Sequence, residues 1–104
     1  MANNRLEILQ QFYADDPADP FNLYALALEY LKTDKNKSKE LFDLLLLKHA
    51  EYLPTYYHAA TLFIELNIMD QATTVLEKGI ALARQQGQSK SMRELQMVYD
   101  ELLD

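Results

Sequence analysis

The chain has 104 residues, enough for one domain, and carries ten Lys and Arg against 16 Asp and Glu, a net charge of −6. That balance repels phosphate backbones, so nucleic acid is not expected as a partner. With no cysteine, disulfides, thiolate nucleophiles, iron–sulfur clusters and cysteine zinc sites are excluded.

Two glycines and three prolines supply too few breakers for a strand-rich fold, so helix is the expected element throughout. No apolar run is long enough to span a bilayer. The first fifteen residues hold one arginine and no continuous apolar stretch, unlike a secretory signal. A cytoplasmic protein without a membrane partner is expected.

The first helix is expected from about Asn4 to Ala14, where Leu6, Leu9, Phe12 and Tyr13 recur at helical spacing before Asp15, Asp16 and Pro17 stop it. Pro20 opens a second helix, in a first turn where a missing amide hydrogen costs nothing, and it runs to about Lys32. The following KTDKNK segment gathers Lys32, Lys35, Lys37 and Lys39, four of the ten cationic residues within eight positions. Such a run reads as a solvated turn between helices or, more sharply, as a docking patch for an acidic partner.

A third helix is expected from Ser38 to Glu51, with Leu41, Phe42 and Leu44 to Leu47 as its apolar run. Pro54 opens a fourth, ending near Leu66. Asp70 is placed to N-cap a fifth, which reaches Arg84 or Gln86 and stops at Gly87. Ser91 and Glu94 have capping-box spacing for a sixth helix that continues to Leu103. On it Met92, Leu95, Tyr99, Leu102 and Leu103 share one face, and Lys90, Arg93, Glu94, Asp100 and Glu101 face water.

The second and fourth helices match at an offset of 33: Leu23, Tyr24, Leu26, Ala27, Tyr30 and Leu31 correspond to Tyr56, Tyr57, Ala59, Ala60, Phe63 and Ile64. The third and fifth match at 34, Ser38, Phe42 and Leu45 with Ala72, Leu76 and Gly79. A period near 34 with two helices per unit is the signature of a helical solenoid. Small residues set the distance between antiparallel helices and large ones fill the space beside them.

These residues resemble the tetratricopeptide repeat family, in the small form met in bacterial-type members. The resemblance implies an all-α, right-handed α-solenoid of antiparallel helix pairs, with about six helices in a single domain over residues 1–104. Within it, 4–17 reads as an amino-terminal half-repeat, 20–50 and 53–86 as two repeats, and 89–104 as a capping helix. Arg84 and Ala50 stand where the pattern closes on proline.

The resemblance also implies a concave groove lined by the first helix of each repeat, here Phe21, Tyr24, Leu28 and Leu31 with Pro54, Tyr57, Thr61 and Ile64. Family members that clamp acidic chaperone tails use lysine and asparagine where this chain has Tyr24, Leu28, Tyr57 and Thr61, so that partner is not implied. An apolar, tyrosine-lined groove suits a peptide or helix of another protein. The second helix is apolar almost all round, and either the first helix or a partner must cover its far side.

His49 and His58 fit no metal or nucleophile-activating spacing. Asp15, Asp16 and Asp19 lack the glycine and distal glutamate of a calcium loop and read as helix-stop and cap residues. No phosphate-cradling or nucleophile-elbow motif is present. A binding module without cofactor, metal or enzymatic activity is therefore expected. The alternatives are a homodimer formed through the exposed apolar helix and, on weaker grounds, a small-molecule-binding regulator or enzyme using Tyr56, Tyr57 and His58.

Overall fold

The structure is a computed structural model that describes residues 4–104; the first three residues of the amino-terminal stretch discussed above lie outside the described residues. Its elements are α1 (Asn4–Asp15), α2 (Pro20–Tyr30), α3 (Lys35–Lys48), α4 (Pro54–Glu65), α5 (Met69–Gln85) and α6 (Ser89–Leu103). No strand occurs among the described residues. The chain divides into two compact units, one ending at Tyr52 and holding α1 to α3, the other starting at Leu53 and holding α4 to α6.

In the first unit α1 and α2 run antiparallel. Arg5 near the start of α1 pairs with Glu29 near the end of α2 at 3.1 Å, while Asn22 Nδ2 donates to the carbonyls of Phe12 and Asp16 at 3.3 and 3.1 Å. Leu9 is buried, and Phe12, which recurs with it at helical spacing, is 52% exposed. That turn of α1 docks through the Phe12 backbone oxygen and leaves the ring outside.

Asp19 caps α2 by accepting from the Phe21 amide at 3.0 Å, and Pro20 occupies the first turn as expected. The helix ends at Tyr30, short of Lys32, because the chain turns early: the Asp34 amide reaches back to the Tyr30 carbonyl at 2.7 Å. Asp34 then caps α3 by accepting from the Lys37 amide at 3.1 Å. The third helix therefore starts at Lys35, ahead of the expected Ser38, and stops at Lys48 with His49 as its cap. Ser38 becomes an interior residue that faces α2, its hydroxyl donating to the Ala27 carbonyl at 2.7 Å with both residues fully buried. Around this close approach sit Leu23, Leu26, Leu41, Phe42 and Leu45. Each such side chain contributes roughly 1.5–3 kcal/mol on leaving water.

In the second unit two left-handed residues set the turns. Asn67 has φ 64°, and the helix end around it is closed by bonds from the Ile68 amide to the Phe63 carbonyl at 2.8 Å and from Asn67 to Ile64 at 2.9 Å. This is the Schellman arrangement, in which the residue after the cap must reverse its backbone. Because the reversal is tight, α5 starts at Met69 with no side-chain cap, and Asp70 lies within its first turn. Gly87, at φ 69°, repeats the arrangement with Gln88 bonding to Ala83 at 2.8 Å and Gly87 to Arg84 at 3.2 Å. The sixth helix follows at once from Ser89, so Ser91 lies inside it and the expected Ser91–Glu94 capping box does not form.

Gly79 marks the tightest contact of this unit. A Cβ placed on it would meet Tyr56 Cβ at 2.9 Å and Leu95 Cδ1 at 3.1 Å, so α4, α5 and α6 converge on a position that holds no side chain. Tyr56, Ala59, Ala60, Leu62, Phe63, Ala72, Val75, Leu76 and Leu95 complete a buried cluster. Thr55 is fully buried too, and its hydroxyl has no hydrogen-bond partner.

Candidate partner-binding surface

The two units each present one open depression against a helix that sequence reasoning assigns to the groove. In the first unit the depression has a volume of 260 Å³; Phe21, Tyr24, Ala25 and Leu28 of α2 line it, with Arg5, Glu29 and Lys32 at its charged edge. These four α2 residues recur at helical spacing and so share a face, whereas α1 engages α2 through Asn22, Glu29 and Tyr30. The first helix thus leaves Phe21 56% exposed. Tyr24 is half-buried and stands edge-on to Tyr52, ring centroids 5.6 Å apart. Burial, then the neighbouring Tyr52, push the Tyr24 hydroxyl pKa up; burial, then Asp19, do the same for Tyr52. Both phenols remain neutral hydrogen-bonding groups at neutral pH.

Leu31, the C-cap residue of α2, is half-buried and does not line this depression. The charged edge is closed on itself: Glu29 sits between Arg5 at 3.1 Å and Lys32 at 3.2 Å.

The lysines of the basic segment lie along the turn after α2 and the start of α3, with acidic side chains beside them. Lys32 pairs with Glu29, Lys37 with Glu40 at 3.6 Å and Lys39 with Asp43 at 2.7 Å, while Lys35 opens α3. Early initiation of α3 places Lys37 and Lys39 three and four residues before acids on the same helix, which is the spacing for such pairs.

In the second unit a depression of 390 Å³ is lined by Tyr57 and His58 of α4 and by Glu94, Met97, Val98 and Glu101 of α6. Tyr57 is 40% exposed and Met97 65%. The Tyr57 and His58 rings meet edge to face, 5.5 Å apart and 89° between planes. Burial lowers the His58 pKa, so the imidazole is neutral at pH 7 and adds no positive charge here. Thr61 and Ile64 are half-buried on α4 and lie outside the lining; the Thr61 hydroxyl donates to the His58 carbonyl at 3.0 Å. Pro54 is exposed at the start of α4.

No protein-family model and no curated protein matches the chain. Among solved structures, the crystal structure of a tetratricopeptide repeat domain protein from Salinibacter ruber is 36% identical, with a TM-score of 0.77 over 81% of this chain and 96% of that one. A solution NMR structure of a tetratricopeptide repeat domain protein from the same organism is 39% identical, with a TM-score of 0.78 over 84% of this chain and 89% of that one. The chain belongs to the tetratricopeptide repeat family. Its tetratricopeptide fold is all-α, and most positions that carry the resemblance are buried: Leu23, Leu26, Ala27, Ser38, Phe42 and Leu45 in the first unit, Tyr56, Ala59, Ala60, Phe63, Ala72, Leu76 and Gly79 in the second, while Tyr30 is half-buried and Asn67 exposed.

Sequence reasoning from the tetratricopeptide pattern finds Phe21, Tyr24, Leu28 and Tyr57 at the depressions and misses Arg5, Glu29, Glu94, Met97, Val98 and Glu101. A signal for the last four is present in the sequence. They fall at i, i+3, i+4 and i+7 of one helix, an apolar pair bracketed by acids, and on a capping helix that stripe reads as solvent-facing. Among the described residues no group of three or more histidines, aspartates or glutamates could hold a metal ion, and no helix is long and apolar enough to cross a membrane.

Proposed function

We propose that the chain is a protein-interaction module that receives a peptide or helix of a partner protein on the apolar, tyrosine-bearing faces of α2 and α4. Phe21, Tyr24, Leu28 and Leu31 form the first face and Tyr57, Thr61 and Ile64 the second, with residues 20–50 and 53–86 as the repeats, 4–17 as a half-repeat and 89–104 as the cap. The reading places the protein in the cytoplasm, without cofactor or catalytic role. The observation that carries it is that Phe21 and Tyr57 stay 56% and 40% exposed in open depressions of units whose other aromatic residues on α2 to α5 are at least partly buried. Aromatic side chains concentrate binding energy because they offer a large rigid face at small entropy loss.

The test is replacement of Tyr24 and Tyr57 together by alanine, followed by affinity capture from native cytoplasm with quantitative mass spectrometry. Proteins recovered by the wild type should fall at least about tenfold, the consequence of losing two aromatic contacts, while circular dichroism stays helical. Equal recovery from a folded variant overturns the reading.

Met97 and Leu103, 65% and 63% exposed on α6, favour a second reading in which two copies pair through this helix. Light scattering over a concentration series distinguishes it, since a 12.1 kDa species throughout rules self-association out.

A further inference from the structure

The two depressions differ in how their carboxylates are held. In the first unit Glu29 is clamped by Arg5 and Lys32, and its side chain is only 16% exposed. In the second unit Glu94 and Glu101 are exposed, and among the described residues neither makes a hydrogen bond or ion pair. They sit seven residues apart on α6, about 10 Å along the helix axis. Between them lie Met97 and Val98, and opposite stand Tyr57 and a neutral His58. An apolar floor with an open carboxylate at each end is complementary to an apolar side chain with a cation on either side.

We infer that the depression between α4 and α6 binds a cationic amphipathic helix of a partner protein, with an apolar residue seated on Tyr57, Met97 and Val98 and lysine or arginine facing Glu94 and Glu101. This rests on the proposed function and adds to it the chemistry of the partner. A helix is the fitting shape, since no strand edge exists among the described residues to extend an added strand, and cations two turns apart on one face of a helix match the spacing of the two glutamates. Anionic surfaces, whether nucleic acid or acidic peptide, meet the same two carboxylates and are repelled.

Lys90 and Arg93 precede this stripe on α6. Neither lines the depression, so a partner cation beside Glu101 is out of their immediate reach and one beside Glu94 is the more weakened of the two.

The experiment uses the full chain and two synthetic helical peptides of about 18 residues, long enough to hold some helix. Both carry leucines along one face; one has lysines seven residues apart flanking them, the other glutamates at the same positions. Fluorescence anisotropy should show binding of the lysine peptide only, weakening as salt is raised. Glu94→Gln with Glu101→Gln should weaken it roughly five- to tenfold, the worth of two exposed ion pairs. Glu7→Gln with Asp70→Asn removes the same charge elsewhere and should change affinity less than about twofold. Equal binding of the glutamate peptide, or an equal loss with the control pair, overturns the inference. A dimer sealed by Met97 that excludes the peptide also overturns it, in favour of a second copy.

If both peptides bind and Tyr57→Ala removes both, the cationic preference falls and the proposed function stands. If neither binds, the preference falls as well, and the proposed function is decided separately by the Tyr24 and Tyr57 double variant.

Discussion

The two units place matching positions in matching environments and fill them differently. Where the first has Leu23 and Leu45, the second has Tyr56 and Gly79, all four buried. A large residue on the fourth helix is accommodated by removing the side chain from the fifth, so closely that Tyr56 Cβ would stand 2.9 Å from any Cβ at Gly79. Where the first unit joins its helices through a buried hydrogen bond from Ser38 to Ala27, the second has the fully buried Ala72 and Ala60 at the matching positions and carries an unpartnered hydroxyl at Thr55. The lesson is that the repeat conserves the space between helices within each unit, and the identity of any one residue is subordinate to its partner across that space.

Substitution at the matching positions should expose this difference most strongly. Leu45→Ala opens a cavity and is expected to lower unfolding free energy by about 3 kcal/mol in denaturant titration. Gly79→Ala fails in the opposite way. Helix propensity alone would make it stabilising by about 1 kcal/mol, but the added methyl meets the backbone end of Tyr56 and the tip of Leu95, and overpacking should turn the result into a net loss of about 1–2 kcal/mol. A gain at Gly79 would show that the helices can separate freely there.

The polar contrast is a smaller effect. Ser38→Ala should lose about 1 kcal/mol by removing a satisfied buried hydrogen bond, and Thr55→Val should gain about 1 kcal/mol by replacing an unsatisfied hydroxyl with a methyl group. Paired thermal melts of the two variants check the signs, and a loss at Thr55 would mean that its hydroxyl is satisfied in solution.

The smallest effect belongs to His58. Burial lowers its folded-state pKa, so the unfolded chain takes up the proton first as pH falls. Its contribution to stability is complete above the unfolded value near 6.5 and is lost as pH drops from there through the lowered folded pKa. Melting temperature should fall slightly over that window in the wild type and be flatter in His58→Gln.

Much of this architecture was legible from residues alone. Leu9, Pro20, Pro54 and Gly87 announce their roles through spacing and backbone chemistry, and the 33-residue and 34-residue offsets recover the buried pairs. Helix starts were harder to place. Asp34 was hidden inside a lysine run, and Asp70 and Ser91 have the composition of caps while lying within helices that begin two residues or fewer before them. The reversals at Asn67 and Gly87 fixed those starts, and a cap motif carries no information about how tight the preceding turn is.

Phe21, Tyr24 and Leu28 in the first depression and Tyr57 in the second followed from the helical stripes of α2 and α4. Arg5, Glu94 and Glu101 did not, because they come from neighbouring helices whose rotation about their own axes is set by packing.

Sequence by itself determined that this chain is helical, repeats at about 34 residues and buries the small–large pattern of its family, since periodicity and residue volume are local properties that one strand of text records. Tertiary structure decided which carboxylates are free. Glu29 and Glu94 look alike in the sequence; one is clamped by cations from its own helix region and from α1, the other is left open beside Met97. Charge acquires its functional meaning only from what is brought within a few ångströms of it, and that distance is a product of helix packing.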